Sequence, residues 1–444
     1  MISILVLAVL AAPPPVCTTE RPAPIPRVSP AMQSAAFWLS QLGPTADAVV
    51  LTPPAIARLN EALVRVGARP VDLDRPPRAC VGRCPDGALD IGAAARDRYD
   101  RFGASFTSGE LVSTPDGAIT DAGRIVGTLV PEMAVRIAFA EGDLRCLPTM
   151  AGFWKRPIDT DFDRNRCTGV HPGERVQVFG RADDGWLYVS TGHAWGWLKS
   201  DILGPPLGPD AIARYRSDTP FVSILEDRPP LRLGVRLPLQ SDDRGGTVWL
   251  ATPRGPEAAP LPLPARTHVG SLPFTRRHLF ELAFTQLGAP YGWGDRAGLR
   301  DCSRLILDLF VAFGLDVGRN SLLQSQHGSR IIELAGLDEA ARRRVIEDAG
   351  RDHVVLLYMP GHVMLYLGTA NGQPYAMSAL SEFAAICDDG REQVMRTDRV
   401  AVTDLELGRG TSRTAFIERV TRLVLFGPGT GVDIPRPTLP VGVE

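Results

Sequence analysis

Three side chains have the types and spacing for nucleophilic acyl transfer. Cys302 follows Asp301 and opens a stretch in which Leu305, Ile306, Leu309, Phe310 and Phe313 recur on one face before Gly314. That pattern predicts a helix with Asp301 as N-cap and Cys302 as its first residue. A thiol there meets unpaired backbone N–H groups and the positive end of the helix dipole. Both favour the thiolate, which is the nucleophilic form. A cysteine at a helix start is, taken alone, more often a small buried hydrophobe than a nucleophile. The second piece is His362, which begins an apolar strand after Gly361. Its imidazole can accept the thiol proton and later return a proton to a leaving amine. A third polar group should hold the other ring nitrogen, and Ser378 on the following strand is the candidate by position.

These residues need a scaffold of strands and one buried helix. A further helix is predicted over 274–287, and strands over 354–359, 362–368 and 373–377, so residues 265–430 read as an α+β unit. Upstream, 173–180 alternates, Asp183-Asp184-Gly185 is a hairpin turn, and Trp186–Ser190 and Gly196-Trp197-Leu198 follow. Residues 119–204 are therefore expected to form a small five- or six-stranded barrel. A second strand-rich unit is expected over 205–264, with Pro/Gly-rich joints at 204–209 and 253–264 and a turn over 241–246. Residues 31–118 carry helical patterns at 32–42 and 53–66 and are expected to form an N-terminal helical domain.

Four stretches carry a family resemblance: Pro290-Tyr-Gly-Trp-Gly294, Arg300-Asp-Cys-Ser303, Gly318-Arg-Asn-Ser-Leu-Leu-Gln324 and Gly361-His-Val-Met-Leu-Tyr-Leu-Gly368. In this order they resemble the NlpC/P60 cell-wall cysteine peptidases. The chain resembles more closely the multidomain subgroup with an N-terminal helical domain and two bacterial SH3 (SH3b) domains. The resemblance implies a papain-like catalytic domain at 265–430, preceded by two SH3-like β-barrels at 119–204 and 205–264. It implies cleavage of the γ-D-glutamyl–diamino acid bond of peptidoglycan stem peptides, with no cofactor and no metal. It makes Cys302 the nucleophile and His362 the base. Tyr291, Asp301, Ser303 and Ser321 match substrate-lining positions. In relatives the first SH3 domain often walls the cleft so that only a stem with a free L-Ala amine enters, and the stretch 153–163 is where such residues would lie.

Two positions depart from the family pattern. The third catalytic position is usually His, and here it is Ser378, which orients an imidazole less firmly. Asp-Cys-Ser is normally followed by Gly, and here Arg304 follows. Arg304 either crowds the cleft, adds a cation near an anionic substrate group, or points to solvent from the first helical turn, the last being the ordinary expectation. These departures keep a second reading open, a catalytically weak or inactive peptidoglycan-binding module. A third is an acyltransferase on the same fold, against which the Tyr291, Asp301, Ser303 and Ser321 set argues.

Composition agrees with a reader of small peptides. The chain has 444 residues, is 44% hydrophobic and carries a formal net charge of −2, which excludes general disorder and gives no pull toward nucleic acid. The apolar run 2–12 followed by Pro13 resembles a secretory signal and is too short for a membrane span, so export to the periplasm or cell envelope is expected. Residues 13–30 read as a Pro-rich tether, and 431–444 as a flexible tail. A monomer acting on stem peptides or murein fragments is expected. The seven cysteines are 17, 80, 84, 146, 167, 302 and 387. Cys80 and Cys84 lack a second pair for zinc and read as a structural disulfide or buried thiols. Pairing of either with Cys146 or Cys167 stays open, Cys17 is a candidate lipid anchor, and Cys387 reads as a buried thiol. His327 and His353 read as surface or supporting residues, and Trp186 and Trp197 as barrel core or rim.

Overall fold

The computed structural model describes residues 17–65, 71–240, 246–261 and 266–428. The expected signal segment, the 431–444 tail and most of the 241–246 turn lie outside these residues.

The C-terminal half is built on a six-stranded antiparallel sheet. Its strand order is Arg330–Glu333, Arg422–Phe426, Val354–Met359, His362–Ala370, Gln373–Ile386 and Glu392–Asp404. Both faces are covered. Val354, Leu356, Val363, Leu365 and Leu367 face the helix Cys302–Val311. Val355, Leu357, Met364 and Tyr366 face the other way, toward Leu334 and Ile346 of the opposite layer. Coverage on both sides explains why 354–359 is a continuous apolar run rather than an alternating one. Inside the first layer Phe310 packs edge-on against Phe274 and Phe426 at 5.7 and 5.0 Å.

Helices of the N-terminal region share buried clusters with later segments. Met32, Trp38, Leu39, Ile56 and Leu59 are buried in the same cluster as the Cys302 helix. Trp38 lies 5.4 Å from Tyr375 and donates from Nε1 to the Met32 carbonyl at 2.8 Å. The helices Ile91–Thr107 and Ala118–Val126 instead pack elsewhere, where Ile91, Ala95 and Ile125 meet Phe179, Trp186, Tyr188 and Trp197. Their apolar stripes are covered by partners from later segments.

The expected tether at 13–30 is, from residue 17 on, a strap on the C-terminal sheet. Ala23 N donates to Arg396 O at 2.7 Å, Tyr375 Oη donates to Arg27 O at 2.9 Å, and Arg27 pairs with Asp404. Cys17 is joined to Cys387. This replaces two expectations, since Cys387 is not a free buried thiol and the thiol of Cys17 is bonded. The other pairs are Cys80–Cys84 and Cys146–Cys167.

Residues 130–199 form a six-stranded antiparallel sheet, in the order Val130–Ile137, Arg175–Arg181, Trp186–Ser190, Trp195–Lys199, Gly142–Arg145, Arg166–Val170. Trp186 and Trp197 are buried in it, as expected of core residues. The next unit holds Phe221–Ile224 between Arg236–Pro238 and Thr267–Val269. The stretch read as a joint at 253–264 contains a strand, Gly255–Pro260, paired in a hairpin with Thr247–Thr252. Its Pro and Ala content hid the strand because an edge hairpin needs few apolar side chains.

Candidate active site

Asp301 caps the helix as the spacing predicts. Its carboxylate accepts from the Arg304 backbone N–H at 2.7 Å and from Gly294 N–H at 3.0 Å. Cys302 is the first helical residue, 7% exposed, and the one free cysteine among the described residues. The helix packs on the strand that His362 opens, Cys302 sharing a cluster with Val363 and Leu365. His362 Nε2 lies 3.0 Å from Ser378 Oγ. The pairing of Leu365 with Met377 and of Ser378 with Ala401 fixes Ser378 on the adjacent strand. Burial, then the Arg419 guanidinium, push the His362 pKa down to about 4 against the pull of Asp301. The imidazole is therefore neutral at neutral pH, the form that can accept a proton.

The expected substrate-lining residues fall into two groups. Tyr291 stands near the thiol. Burial raises its pKa well above the ordinary value, and Cys302 and Asp301 add to that rise. Asp301 and Ser303 are instead held in an internal lattice. Ser303 Oγ donates to Asp301 at 3.1 Å, and Arg319 grips Asp301 with two bonds of 2.8 and 3.1 Å while reaching Ser303 at 3.0 Å. Ser321 opens the short helix Ser321–Gln324, whose Gln324 donates to Ser303 O at 2.8 Å. Arg319 was missed as a site residue although it stands inside the quoted Gly-Arg-Asn-Ser stretch.

The loop 156–165 lies against this site. Phe162 lies 6.4 Å from the Tyr291 ring and 5.4 Å from Trp293. Arg396 holds Asp159 and Asp161 at 2.8 Å each, and Arg296 holds Asp161 at 2.9 Å. Within the stretch expected to wall the cleft, Phe162 is thus the residue against Tyr291, whereas Phe153 is buried against Phe102 and Phe106. No local signal separates the two phenylalanines.

Arg304 does not point to solvent. It is 7% exposed and pairs with Asp308 at 2.6 Å, Glu174 at 2.8 Å and Asp295 at 2.9 Å. Asp295 also meets His171 Nε2 at 2.7 Å, and Arg300 joins Asp308 to Asp227. This buried lattice ties the Cys302 helix to both upstream strand units. Burial alone would raise the Asp295 pKa, but Arg304 and His171 hold it well below the carboxylate range. His327 is likewise fully buried rather than at the surface, and burial pushes its pKa down to about 3. His353 is half-buried, with Nε2 3.2 Å from the Pro428 carbonyl.

His171 gives a pH test. Burial lowers its pKa, but Asp295 overrides this and raises it from 6.5 to about 9. A raised folded pKa stabilises fully below 6.5, and that contribution is lost as pH climbs through about 9. Urea unfolding should therefore show lower stability at pH 9 than at pH 6.5, with a smaller decline in His171→Gln.

No protein-family model and no curated protein sequence matches the chain. Among solved structures it is similar to an NlpC/P60 endopeptidase from Photobacterium damselae subsp. piscicida, with TM-score 0.70 and 14% identity over 89% of this chain and 98% of that one. An NlpC/P60 family protein from Bacillus cereus matches with TM-score 0.43 and 16% identity over 66% of this chain and 100% of that one. The chain has the fold of the Photobacterium NlpC/P60 endopeptidase, across nearly its whole length.

Proposed function

We propose that the protein is a cysteine endopeptidase that hydrolyses the γ-D-glutamyl–diamino acid bond of peptidoglycan stem peptides with a free N-terminal L-Ala. The observation that carries this reading is the 3.0 Å contact of His362 Nε2 with Ser378 Oγ, beside a helix that begins at the free Cys302. With Nε2–H donating to Ser378, Nδ1 keeps its lone pair for the thiol proton. The Cys302 sulfur then attacks the γ-carbonyl carbon. The C–N bond breaks as His362 returns the proton to the leaving amine. Water, deprotonated by the same imidazole, attacks the thioester and releases the acid and the thiol. Because His362 resists protonation, its neutral imidazole is the acceptor for the thiol proton.

In this reading the units at 119–204 and 205–264 are SH3-like modules, and Phe162 of the first closes the N-terminal side of the cleft. Three disulfides support export to an oxidising compartment such as the periplasm or envelope. The test is incubation with L-Ala-γ-D-Glu-diaminopimelate and with its N-acetylated form. Mass spectrometry should detect L-Ala-γ-D-Glu from the first only. No release, with retained binding to sacculi, would favour the wall-binding module instead.

Ser378→Ala should lower kcat roughly tenfold, since removing one hydrogen bond from the imidazolium costs about 1–2 kcal/mol in the transition state. KM should hardly move, and a steady-state comparison of the two proteins reads both quantities.

A further inference from the structure

Arg419 is a cation without an anion. It ends the short helix Phe416–Arg419 and is partly buried. The arginines around it are engaged. Arg409 meets Glu418 at 2.8 Å and Glu339 at 2.9 Å, Arg413 meets Glu382 at 2.6 Å, and Arg422 meets Glu333 at 2.6 Å. Arg342 donates to the Glu418 and Val420 carbonyls at 2.9 and 2.7 Å. Among the described residues Arg419 has no carboxylate and no side-chain hydrogen-bond acceptor. Its guanidinium carbon sits 5.7 Å from the Phe416 ring centre, and that ring sits 6.2 Å from the His362 ring. Burial, and then Arg413, lower its pKa, so this charge is kept at a desolvation cost that no carboxylate among the described residues offsets.

The position assigns the missing anion. The imidazole must hand its proton to the leaving amine, so the residue on the amine side of the scissile bond lies on the His362 side of the thiol. Phe416 faces the imidazole and Arg419 faces Phe416, close enough for its charge to act on His362. We infer that Arg419 binds a carboxylate on the amine-side residue of the substrate, making the protein selective for a carboxylated diamino acid over a residue lacking a free carboxylate there. A guanidinium matches a carboxylate with two parallel bonds, and partial burial strengthens them.

This inference rests on the proposed peptidase reading, and its test separates the two. The probes are L-Ala-γ-D-Glu-diaminopimelate and L-Ala-γ-D-Glu-L-lysine amide, which carries no carboxylate on the amine-side residue. Wild-type protein should favour the first through KM, and Arg419→Gln should lose about tenfold of that KM preference. Arg419→Lys should recover part of the loss. Calorimetric binding of both probes to full-length Cys302→Ala protein, with and without Arg419→Gln, reads the inference without turnover. A selective loss of diaminopimelyl peptide binding supports it. Equal loss on both probes, or none, overturns it, whatever cleavage shows. Absence of cleavage with selective binding overturns only the peptidase reading.

Discussion

Cys302→Ala should abolish peptide hydrolysis, lowering kcat by about four orders of magnitude or more while leaving the fold intact. The sulfur is the atom that would carry the acyl group, and the other six cysteines are bonded in pairs. Loss of one small buried side chain at the edge of the core costs little stability, on the order of 1 kcal/mol. Thermal melting should therefore overlay that of the wild type. Activity that survived the substitution would remove Cys302 from the chemistry. A collapse in melting temperature would make it a packing residue instead.

Arg304→Ala should have the largest effect on stability. The guanidinium is buried against three carboxylates, and truncating it leaves Asp295, Asp308 and Glu174 short of a partner. Breaking a buried charge pair by removing one side costs about 3–5 kcal/mol, chiefly because the remaining charge stays desolvated. His171 still holds Asp295 and Arg300 still holds Asp308, which places the expected loss toward the lower end of that range. Urea unfolding of the variant measures it. Adding Asp295→Asn should return part of the loss, because the orphaned carboxylate is then neutral. A loss below about 1 kcal/mol would mean that solvent reaches the site and the lattice is not buried.

The elements of the candidate site were legible because their signals are local. The Asp301 cap, the apolar stripe from Leu305 to Phe313 and the Gly361 turn before His362 all act within a few residues. Ser378 followed from counting one strand onward, and hairpin register then sets it beside the imidazole. What stayed hidden depends on distant partners. Arg304 finds Glu174 from 130 residues away, and Cys17 finds Cys387 across 370. The strand Glu392–Asp404 went unpredicted because it carries Arg396, Asp398 and Arg399 among its apolar residues. Those charges are satisfied by Asp159, Asp161 and the N-terminal strap, none of which is near in sequence. The helices at 35–42 and 53–65 were legible as helices, but not as part of the hydrophobic cluster they share with the Cys302 helix.

The central claim is that this site hydrolyses a γ-D-glutamyl bond through Cys302. Digesting L-Ala-γ-D-Glu-diaminopimelate in heavy-oxygen water tests it most directly, because hydrolysis must leave one solvent oxygen on the new γ-carboxyl group. The account predicts labelled L-Ala-γ-D-Glu from the wild type and none from Cys302→Ala. Intact peptide with the wild-type protein, or labelled dipeptide from both proteins alike, would contradict it.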